Sequence, residues 1–459
     1  MEPNVLLESL IDEAGMSRAG FAGHVNRAGR TRGLTLRYEH TAVSRWLKGQ
    51  RPRGQVPDLI CEVLGGRLGR PVVLDDIGMG VVSGGGYGGG YGSGHGTGDA
   101  PAGASLSGFV ERATALWRSD EQQRPHLATV PAVTGTTAVM PVWEWENPPE
   151  DTDVSRPGPG RVSAADIETL RSARDHYEQM YRKAGGIATR PRIVRFLNAE
   201  AAPLLRGGYS DALGRRLHRA TAALVAMAGI CAYDSDAHGL AQRYFHQALR
   251  LAKSSGDRAL GGYVIALLTT QSLFLGDHRR SIAFAEAALR AAGNHITPAL
   301  AADLHAMQAK AYAQLGDAAS ARACIRRAEA QAGRIHTGRE PDETGYVQPG
   351  LVDVQVAEAL LSLGDLPAAR EHATSAVRAP AHDRGRVHRL AMLSHIELLQ
   401  GEPDRAATTA AEMAERARGM ESQRLRDRLR QMRRELAESG CADAVQTADV
   451  IGGALRVPL

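Results

Sequence analysis

Basic side chains are concentrated near the N-terminus of this 459-residue chain, at a density that suits contact with phosphate groups. Residues 15–53 contain nine basic residues and one acid, Glu39, so their net charge is +8, whereas the whole chain carries +4. The nine are Arg18, Arg27, Arg30, Arg32, Arg37, Arg45, Lys48, Arg51 and Arg53. Nucleic-acid-binding proteins concentrate positive charge in this way. The alternative is a solvated basic face without a partner.

Four short helices are predicted around these basic residues. The apolar spacing predicts them over residues 5–14, 17–29, 40–48 and 57–69. The third helix is expected to turn three side chains inward, namely Val43, Trp46 and Leu47. Short helices in this order form a small core with a helix-turn-helix at its centre, which can present one helix to the major groove.

The segment V-S-R-W-L-K-G-Q-R-P, Val43 to Pro52, resembles the third helix and following turn of phage-repressor-like domains of the Xre or Cro/C1 type. The resemblance implies a DNA-binding domain over residues 1–82. The sequence departs from the family between Asn26 and Glu39, where the connection is longer than the usual tight turn. This connection is either an added minor-groove arm or an unusual loop, so the start of the recognition helix is undetermined.

The resemblance also implies roles for individual side chains. The candidates for base contact are His40, Thr41, Ser44 and Arg45, and Arg45 can offer two donors to guanine. The candidates for phosphate contact are Lys48, Gln50, Arg51, Arg53, Arg30, Arg32 and Arg37. Trp46 shares a face with Val43, which favours a core position over stacking on bases.

The chain between residues 83 and 162 separates this domain from the rest. Residues 83–98 read SGGGYGGGYGSGHGTG, which predicts a flexible linker and not a dinucleotide-binding loop, because no strand leads into it and no helix follows. Residues 99–162 form a connector of undetermined structure. Within it, residues 106–118 are typical of a helix, whereas residues 126–145 have β-rich character, with Trp143 and Trp145 as candidate anchors.

From Ser163 onward the sequence predicts helices, and an internal repeat emerges. Five segments share small residues seven positions apart: 240–249, 281–289, 320–330, 367–377 and 405–414. The last four follow L-G-D, L-G-D, L-G-D and Q-G-E, whereas Asp236 stands where the first segment lacks the turn glycine. Stacked helix hairpins with glycine turns explain this spacing. The sequence therefore predicts an all-α chain with an α-solenoid over residues 163–440.

The repeats resemble the tetratricopeptide family, most closely at A-Y-A-Q-L-G-D, Ala311 to Asp317, and at Ala241, Phe245 and Ala248. Such solenoids present a concave groove for a peptide, a protein or a sister subunit. Dimerisation alone is the alternative. The arginine-rich segment 416–434 is expected to cap the solenoid, with contact to DNA or to another chain as alternatives, and residues 441–459 are assigned to a C-terminal tail.

Residues 229–262 resemble a stretch of actinobacterial regulators that join an Xre-type head to tetratricopeptide repeats. Among these regulators are NsdA-like proteins of streptomycetes, which repress differentiation and antibiotic production. The resemblance implies a homodimeric transcriptional repressor that binds double-stranded DNA.

Enzyme motifs are absent from the sequence. No lysine follows a glycine, which excludes a P-loop, and neither H-E-x-x-H nor G-x-S-x-G occurs. The four cysteines are widely separated, which favours buried thiols, and no cofactor or metal site is expected. Asp234, Asp236 and His238 are candidates for lining a small-molecule pocket, with helix capping as the alternative.

The N-terminus lacks the pattern of a signal peptide, and no apolar run is long enough to cross a membrane, so a cytoplasmic, nucleoid-associated protein is expected. The sequence predicts a sequence-specific transcriptional regulator, with a repeat domain for dimerisation and for sensing an effector or peptide. The alternative is an adaptor that binds a protein client through its repeats, while the basic head tethers it to nucleic acid without sequence preference.

Overall fold

The chain is helical throughout the part that its computed structural model describes. The described residues are 4–31, 34, 36–50, 52, 56–68, 72, 74, 77, 79, 105–122, 127, 129–147, 151–336, 338–347 and 350–456. Within these ranges no β-strand is present, and two isolated bridges join Arg156 to Tyr209 and Arg161 to Gly208. The predicted all-α class is therefore confirmed. The chain divides into two compact units, Met1–Gly94 and His95–Leu459. The predicted linker at 83–98 lies outside the described residues.

The described residues of the first unit include four helices in the predicted order. They are α1 (Val5–Glu13), α2 (Arg18–Thr31), α3 (His40–Leu47) and α4 (Val56–Leu68). Helix α2 packs against α3 and α4, and α1 contacts the same two helices. The shared core includes Phe21, Val25, Val43, Trp46, Leu59 and Leu64. Because Trp46 is only 4% exposed, its predicted core position is confirmed.

Local capping explains where these helices begin and end. The Asn4 side chain accepts a hydrogen bond from the Leu7 backbone amide and caps α1. The backbone N–H of Asn4 donates to the carbonyl of Leu47 at 2.7 Å. The Ser17 hydroxyl accepts from the Gly20 amide at the start of α2. Gly15 and Gly49 follow α1 and α3 with φ of +63° and +91°, values that favour glycine.

In the stretch whose structure the sequence left undetermined, the described residues include two further helices. They are α5 (Leu106–Glu121), which confirms the helix expected there, and α6 (Gly135–Glu146). The β-rich reading of residues 126–145 is wrong for α6, because its buried residues Ala138, Val142 and Trp145 follow helical spacing. Trp145 is buried against Gly261, where an added Cβ would lie 2.1 Å from Trp145 Nε1, whereas Trp143 is 52% exposed. Only Trp145 is therefore an anchor.

The rest of the second unit is a series of helix hairpins. Three helices lead into it: α7 (Ala164–Ala184), α8 (Gly186–Phe196) and, after a π-helical stretch over Leu197–Ala201, α9 (Ala202–Arg206). Twelve helices then follow as six hairpins: α10 (Asp211–Asp234) with α11 (His238–Ser255), α12 (Arg258–Phe274) with α13 (His278–Ala292), α14 (Pro298–Gln314) with α15 (Ala318–Ala332), α16 (Leu351–Ser362) with α17 (Leu366–Arg378), α18 (Asp383–Leu399) with α19 (Pro403–Arg416), and α20 (Gln423–Glu438) with α21 (Ala442–Arg456).

These hairpins pack in series, in a solenoid-like arrangement. The first helices of successive hairpins contact one another from α10 to α20. The predicted repeat segments form the second helices, and their small residues at seven-residue spacing are fully buried: Ala241, Ala248, Ala321, Ala328, Ala369 and Ala376. Residues 442–456, which the sequence assigned to a tail, form α21 and pack against α19 and α20. No described helix is long and apolar enough to cross a membrane.

The predicted hairpin turns adopt one backbone conformation. The four turn glycines have φ between +75° and +79°: Gly276, Gly316, Gly364 and Gly401. Asp236 takes the equivalent place in the first hairpin with φ of +65°, and it is the one non-glycine residue with positive φ in the described part of the chain. Aspartate tolerates the left-handed region better than most residues. The L-G-D pattern therefore marks a left-handed turn.

The acid after each turn glycine has a separate role. The carboxylates of Asp277, Asp317 and Asp365 cap the next helix by accepting from the amides of Arg280, Ser320 and Ala368. Glu402 makes no such cap and instead forms ion pairs with Arg370 at 2.7 Å and Arg405 at 2.9 Å. The longer glutamate side chain reaches past the helix end and joins two neighbouring hairpins.

The chain just before the last hairpin contacts the junction of α7 and α8, which precedes the first hairpin. The amide of Glu421 donates to the carbonyl of Ala184 at 2.7 Å, and the amide of Ile187 donates to the carbonyl of Glu421 at 3.2 Å. Glycine is required here, because a Cβ on Gly185 would lie 2.4 Å from the Glu421 oxygen, and Gly185 has φ of +86°. These backbone hydrogen bonds join the segment before the first hairpin to the segment before the last hairpin, and we call them the closure.

Candidate functional site

Helix α3 separates its buried and exposed side chains cleanly. Four residues face the core of the first unit: Ala42, Val43, Trp46 and Leu47. Three of the predicted base-contact residues, His40, Thr41 and Arg45, are exposed, and Lys48 is exposed directly after the helix. The structure therefore places these four side chains on the solvent side of one helix, where they can reach a ligand as large as a duplex.

Ser44, the fourth predicted base-contact residue, is half-buried. Its hydroxyl donates a hydrogen bond of 3.0 Å to the carbonyl of His40, one turn earlier in α3. This bond occupies the hydroxyl proton, so Ser44 retains only acceptor capacity toward a base. Arg45 is the exposed side chain on this helix with the most donors.

The segment before α3 is fixed by an amide that the sequence analysis did not single out. The Asn26 side chain donates to the Tyr38 carbonyl at 2.8 Å, and the Tyr38 amide donates back to Asn26 Oδ1 at 2.9 Å. The Tyr38 ring then meets the edge of Trp46, with 5.0 Å between ring centroids. Asn26 and Tyr38 therefore set where α3 begins. The signal available in the sequence was an asparagine within a helix, where this residue is unfavourable.

The predicted phosphate-contact residues lie around the same helix, as far as the structure describes them. Arg30, in the last turn of α2, is exposed, as are Arg37, Lys48 and Gln50. Arg32, Arg51 and Arg53 lie outside the described residues. Acidic residues concentrate instead on α1: Glu8, Asp12 and Glu13. The Glu8 carboxylate pairs with Arg18 at 3.1 Å.

The three candidate pocket residues of the second unit do not face one space. The Asp236 side chain is 60% exposed, and its Oδ1 lies 2.9 Å from His238 Nε2. His238 packs against the rings of Tyr233 and Phe274, and its burial lowers its pKa despite the nearby Asp236. Asp234 is fully buried and points elsewhere. The structure thus brings Asp236 and His238 together and separates Asp234 from them.

Asp234 is the centre of a buried polar cluster at the closure. Its Oδ2 accepts from the Gly186 amide at 2.8 Å, and its Oδ1 accepts from the Ser422 hydroxyl at 2.8 Å and from the Arg384 guanidinium. Arg384 lies over the Tyr181 ring, with 4.6 Å between Cζ and the ring centroid. One carboxylate therefore connects α8, α18 and α20, and its partners satisfy its buried charge.

The cysteines and histidines outside these clusters show no grouping suited to metal binding. Cys61, Cys231 and Cys324 are buried, Cys441 is half-buried, and none forms a disulfide. Burial raises the pKa of the Cys231 thiol, which is fully enclosed. Among the described residues, no three His, Cys, Asp or Glu side chains come together in an arrangement that could hold a metal ion.

The first unit is similar to a known protein family. Residues 7–80 match the model of the SP15 N-terminal domain family. The matched stretch includes α2, α3 and α4 and most of α1, and it ends before the glycine-rich segment. No curated protein matches the chain. The exposed face of α3 lies within the residues that show this similarity.

Proposed function

We propose that the protein is a sequence-specific DNA-binding transcriptional regulator of the Xre type, with α3 as its recognition helix. The observation that carries this proposal is the exposed row of His40, Thr41, Arg45 and Lys48 on a helix whose opposite face is buried. A helix of this kind fits the major groove, where base edges present distinct patterns of donors and acceptors.

In this proposal the side chains divide into two classes. Arg45 reads a guanine through two parallel donors, while His40 and Thr41 contact neighbouring bases and Ser44 accepts from one. Lys48, Gln50, Arg30 and Arg37 hold phosphates and set the register of α3 on the duplex. The Asn26 and Tyr38 amide pair supports the proposal, because a recognition helix needs a fixed approach.

The second unit has a different part in the proposal. We propose that its hairpins are tetratricopeptide-type repeats that pair two copies of the chain, so that two first units read two half-sites one or more helical turns apart. By its resemblance to the NsdA-like regulators, the protein acts as a repressor in the cytoplasm, at the nucleoid.

Binding of the full-length chain to genomic DNA fragments, measured over a range of salt concentrations, tests the proposal. We expect a footprint at defined sites that persists at physiological salt, with half-site spacing near a multiple of about 10 base pairs. Salt weakens phosphate contacts on every duplex alike, so a footprint that persists at physiological salt requires base-specific contacts. Affinity that follows salt alone, with no footprint, would reject the regulator and support a protein-binding adaptor that is tethered to nucleic acid without preference.

A further inference from the structure

The second unit contains a partly open cavity of about 770 Å³, lined by its hairpins. The first helix of every hairpin contributes to its wall, through Tyr233, Phe274, Lys310, Glu358, His388 and Arg424. Tyr181 of α7 adds the wall at the closure. The volume lies within the range of pockets that bind small organic molecules, about 300–1,000 Å³.

Positive charge dominates this cavity. Five cationic side chains line it, against the two carboxylates Asp303 and Glu358: Lys310, Arg384, Arg389, Arg424 and Arg428. Both carboxylates are already engaged. Asp303 accepts from the Tyr346 hydroxyl and from the Gln355 amide at 2.7 Å, whereas Glu358 pairs with Lys310 and lies 3.6 Å from Arg428. The acids therefore leave part of the cationic charge without a counterion.

Arg424 is the cation whose surroundings point most directly to a ligand. Its guanidinium lies over the Tyr233 ring at 4.1 Å and over the Phe274 ring at 4.7 Å, measured from Cζ to the centroids. In the described part of the chain, no carboxylate lies within 4.0 Å of it. Stacking on two rings orients the guanidinium plane but does not neutralise it.

Arg384 supplies a second, independent observation. This side chain is 5% exposed and lines the cavity, and its Nη2 bonds to Asp234 at the closure. Its Nη1 is buried and has no hydrogen-bond partner. A buried guanidinium nitrogen without an acceptor is costly, and it belongs to a residue that lines the cavity.

Two histidines of the wall, His382 and His388, lie beside the same cationic side chains. Burial and the charges of Arg384, Arg424 and Arg428 hold the pKa of His388 well below its ordinary value. Burial, followed by Arg182, Arg384 and Arg389, lowers the pKa of His382 to about 4, although Asp383 opposes this effect. Both rings are therefore neutral at pH 7 and can donate or accept hydrogen bonds without adding charge.

The remaining wall is apolar and aromatic. Phe274 is 47% exposed. The apolar wall around it also includes Tyr346, Met307, Met392 and Leu273. An exposed aromatic ring beside a cationic group suits a ligand with a flat apolar body and an acidic end.

We propose that this cavity binds a small organic anion, with its acidic group at Arg424, Arg428 and Arg384 and its apolar ring system against Phe274 and Tyr346. The inference rests on the second unit alone and holds whether or not the first unit reads DNA. We commit to a small molecule because the cavity volume of about 770 Å³ lies within the range of small-molecule pockets, about 300–1,000 Å³.

The fluorescent aromatic sulfonate 8-anilinonaphthalene-1-sulfonate is a suitable probe for the full-length chain. We expect saturable binding at one site, weakened about tenfold or more in the double variant R424Q/R428Q, because each charge-assisted hydrogen bond contributes strongly in a buried site. The matched control is R430Q/R434Q, which makes the same change in charge on exposed positions of the same helix, α20. We expect the control to bind like the unaltered chain.

Three further measurements keep the proposal open to rejection. The uncharged analogue N-phenyl-1-naphthylamine should bind more weakly than the sulfonate and should not respond to R424Q/R428Q. Phe274→Ala, a half-exposed position, should weaken both probes without loss of helical circular dichroism. Competition by 1-naphthoate and by 1-naphthyl phosphate distinguishes a carboxylate ligand from a phosphate ligand. Equal sulfonate affinity in both double variants, or binding at many equivalent sites, would overturn the inference.

Discussion

The Asp234 carboxylate accepts a hydrogen bond of 2.8 Å from the hydroxyl of Ser422, 188 residues further along the chain. The same hydroxyl caps α20 by accepting from the Leu425 amide at 3.2 Å. Ser422 thus joins the beginning of the last hairpin to the end of α10, the first helix of the first hairpin. Arg384 balances the charge of Asp234, so the closure depends on one buried ion pair.

Asp234→Asn is therefore expected to destabilise the second unit strongly. The amide has one acceptor oxygen in place of two, so it can accept from Gly186 or from Ser422 but not from both. It also leaves Arg384 buried without its counterion, a loss of about 3–5 kcal/mol in unfolding free energy. Urea unfolding of the full chain, followed by circular dichroism, measures it. The control Asp236→Asn changes a 60% exposed carboxylate and should cost less than about 0.5 kcal/mol. Equal losses in the two variants would contradict the buried pair.

Gly316→Ala should cost about 1–2 kcal/mol. Its φ of +79° disfavours any side chain, and nothing lies within 4 Å of an added Cβ, so the loss reports backbone conformation alone. The matched substitution Gly453→Ala, in helix α21 with equally open surroundings, should stabilise the protein by about 0.5–1 kcal/mol because alanine favours helix. Denaturant midpoints measure both effects, and the same sign for both would be inconsistent with a left-handed turn at Gly316.

The buried His218 makes stability depend on pH. Its ring nitrogens lie 3.3 Å from the Tyr209 hydroxyl and 3.0 Å from Ser254 Oγ, and burial lowers its pKa from 6.5 to about 4. The unfolded chain takes up a proton near pH 6.5, whereas the folded chain does so only near pH 4. Stability is therefore complete above pH 6.5 and falls as the pH drops from 6.5 to 4, by about 3 kcal/mol for this residue.

His218→Gln should reduce this loss. Urea midpoints at several pH values between 4 and 7 provide the measurement, and the variant should show a smaller decrease on acidification than the unaltered chain. His336→Gln removes an exposed histidine and should leave the pH profile as it was. An unchanged profile in the His218 variant would show that this ring does not titrate as its surroundings imply.

Arg45→Ala and Lys48→Ala should affect DNA binding differently. Arg45→Ala removes a bidentate guanine contact, so the difference in binding free energy between preferred and random duplexes should fall by about 1–3 kcal/mol. Lys48→Ala removes a phosphate contact, so it should weaken binding to all duplexes alike and reduce the slope of log affinity against log salt concentration by about one unit. Fluorescence anisotropy with both duplex types separates the outcomes. If the two variants lose specificity to the same degree, the assignment of α3 residues to bases and phosphates fails.

The repeat architecture could be predicted from sequence because its signals are local. The left-handed turns at Gly276 and Gly316 and the caps at Asp277 and Asp317 lie within a few residues of the helices that they join. The same reasoning identified Asp236 as the irregular turn. It misjudged α6, because β-branched residues favour strands, whereas the buried Ala138, Val142 and Trp145 follow helical spacing.

The cavity was beyond sequence reasoning because its parts are distant along the chain. Arg424 and Arg428 occur in an arginine-rich helix, where a capping role was the simplest expectation. Their spacing of four positions places both on the helix face that lines the cavity. Tyr233 and Phe274 stand near the predicted Asp234, Asp236 and His238, yet the aromatic rings line the cavity and those three residues do not. Only the curvature of the hairpin series brings these groups together.

The closure makes the folding of the second unit depend on contacts between distant parts of the chain. In an open solenoid each repeat contacts only its neighbours, so ends fray and segments unfold independently. Here the hydrogen bonds between Ala184, Ile187 and Glu421 link positions more than 230 residues apart, and they form only when the intervening hairpins have the correct curvature. Such non-local contacts raise contact order and slow folding. A chain that emerges from the ribosome therefore completes this unit only after its final hairpin has been synthesised.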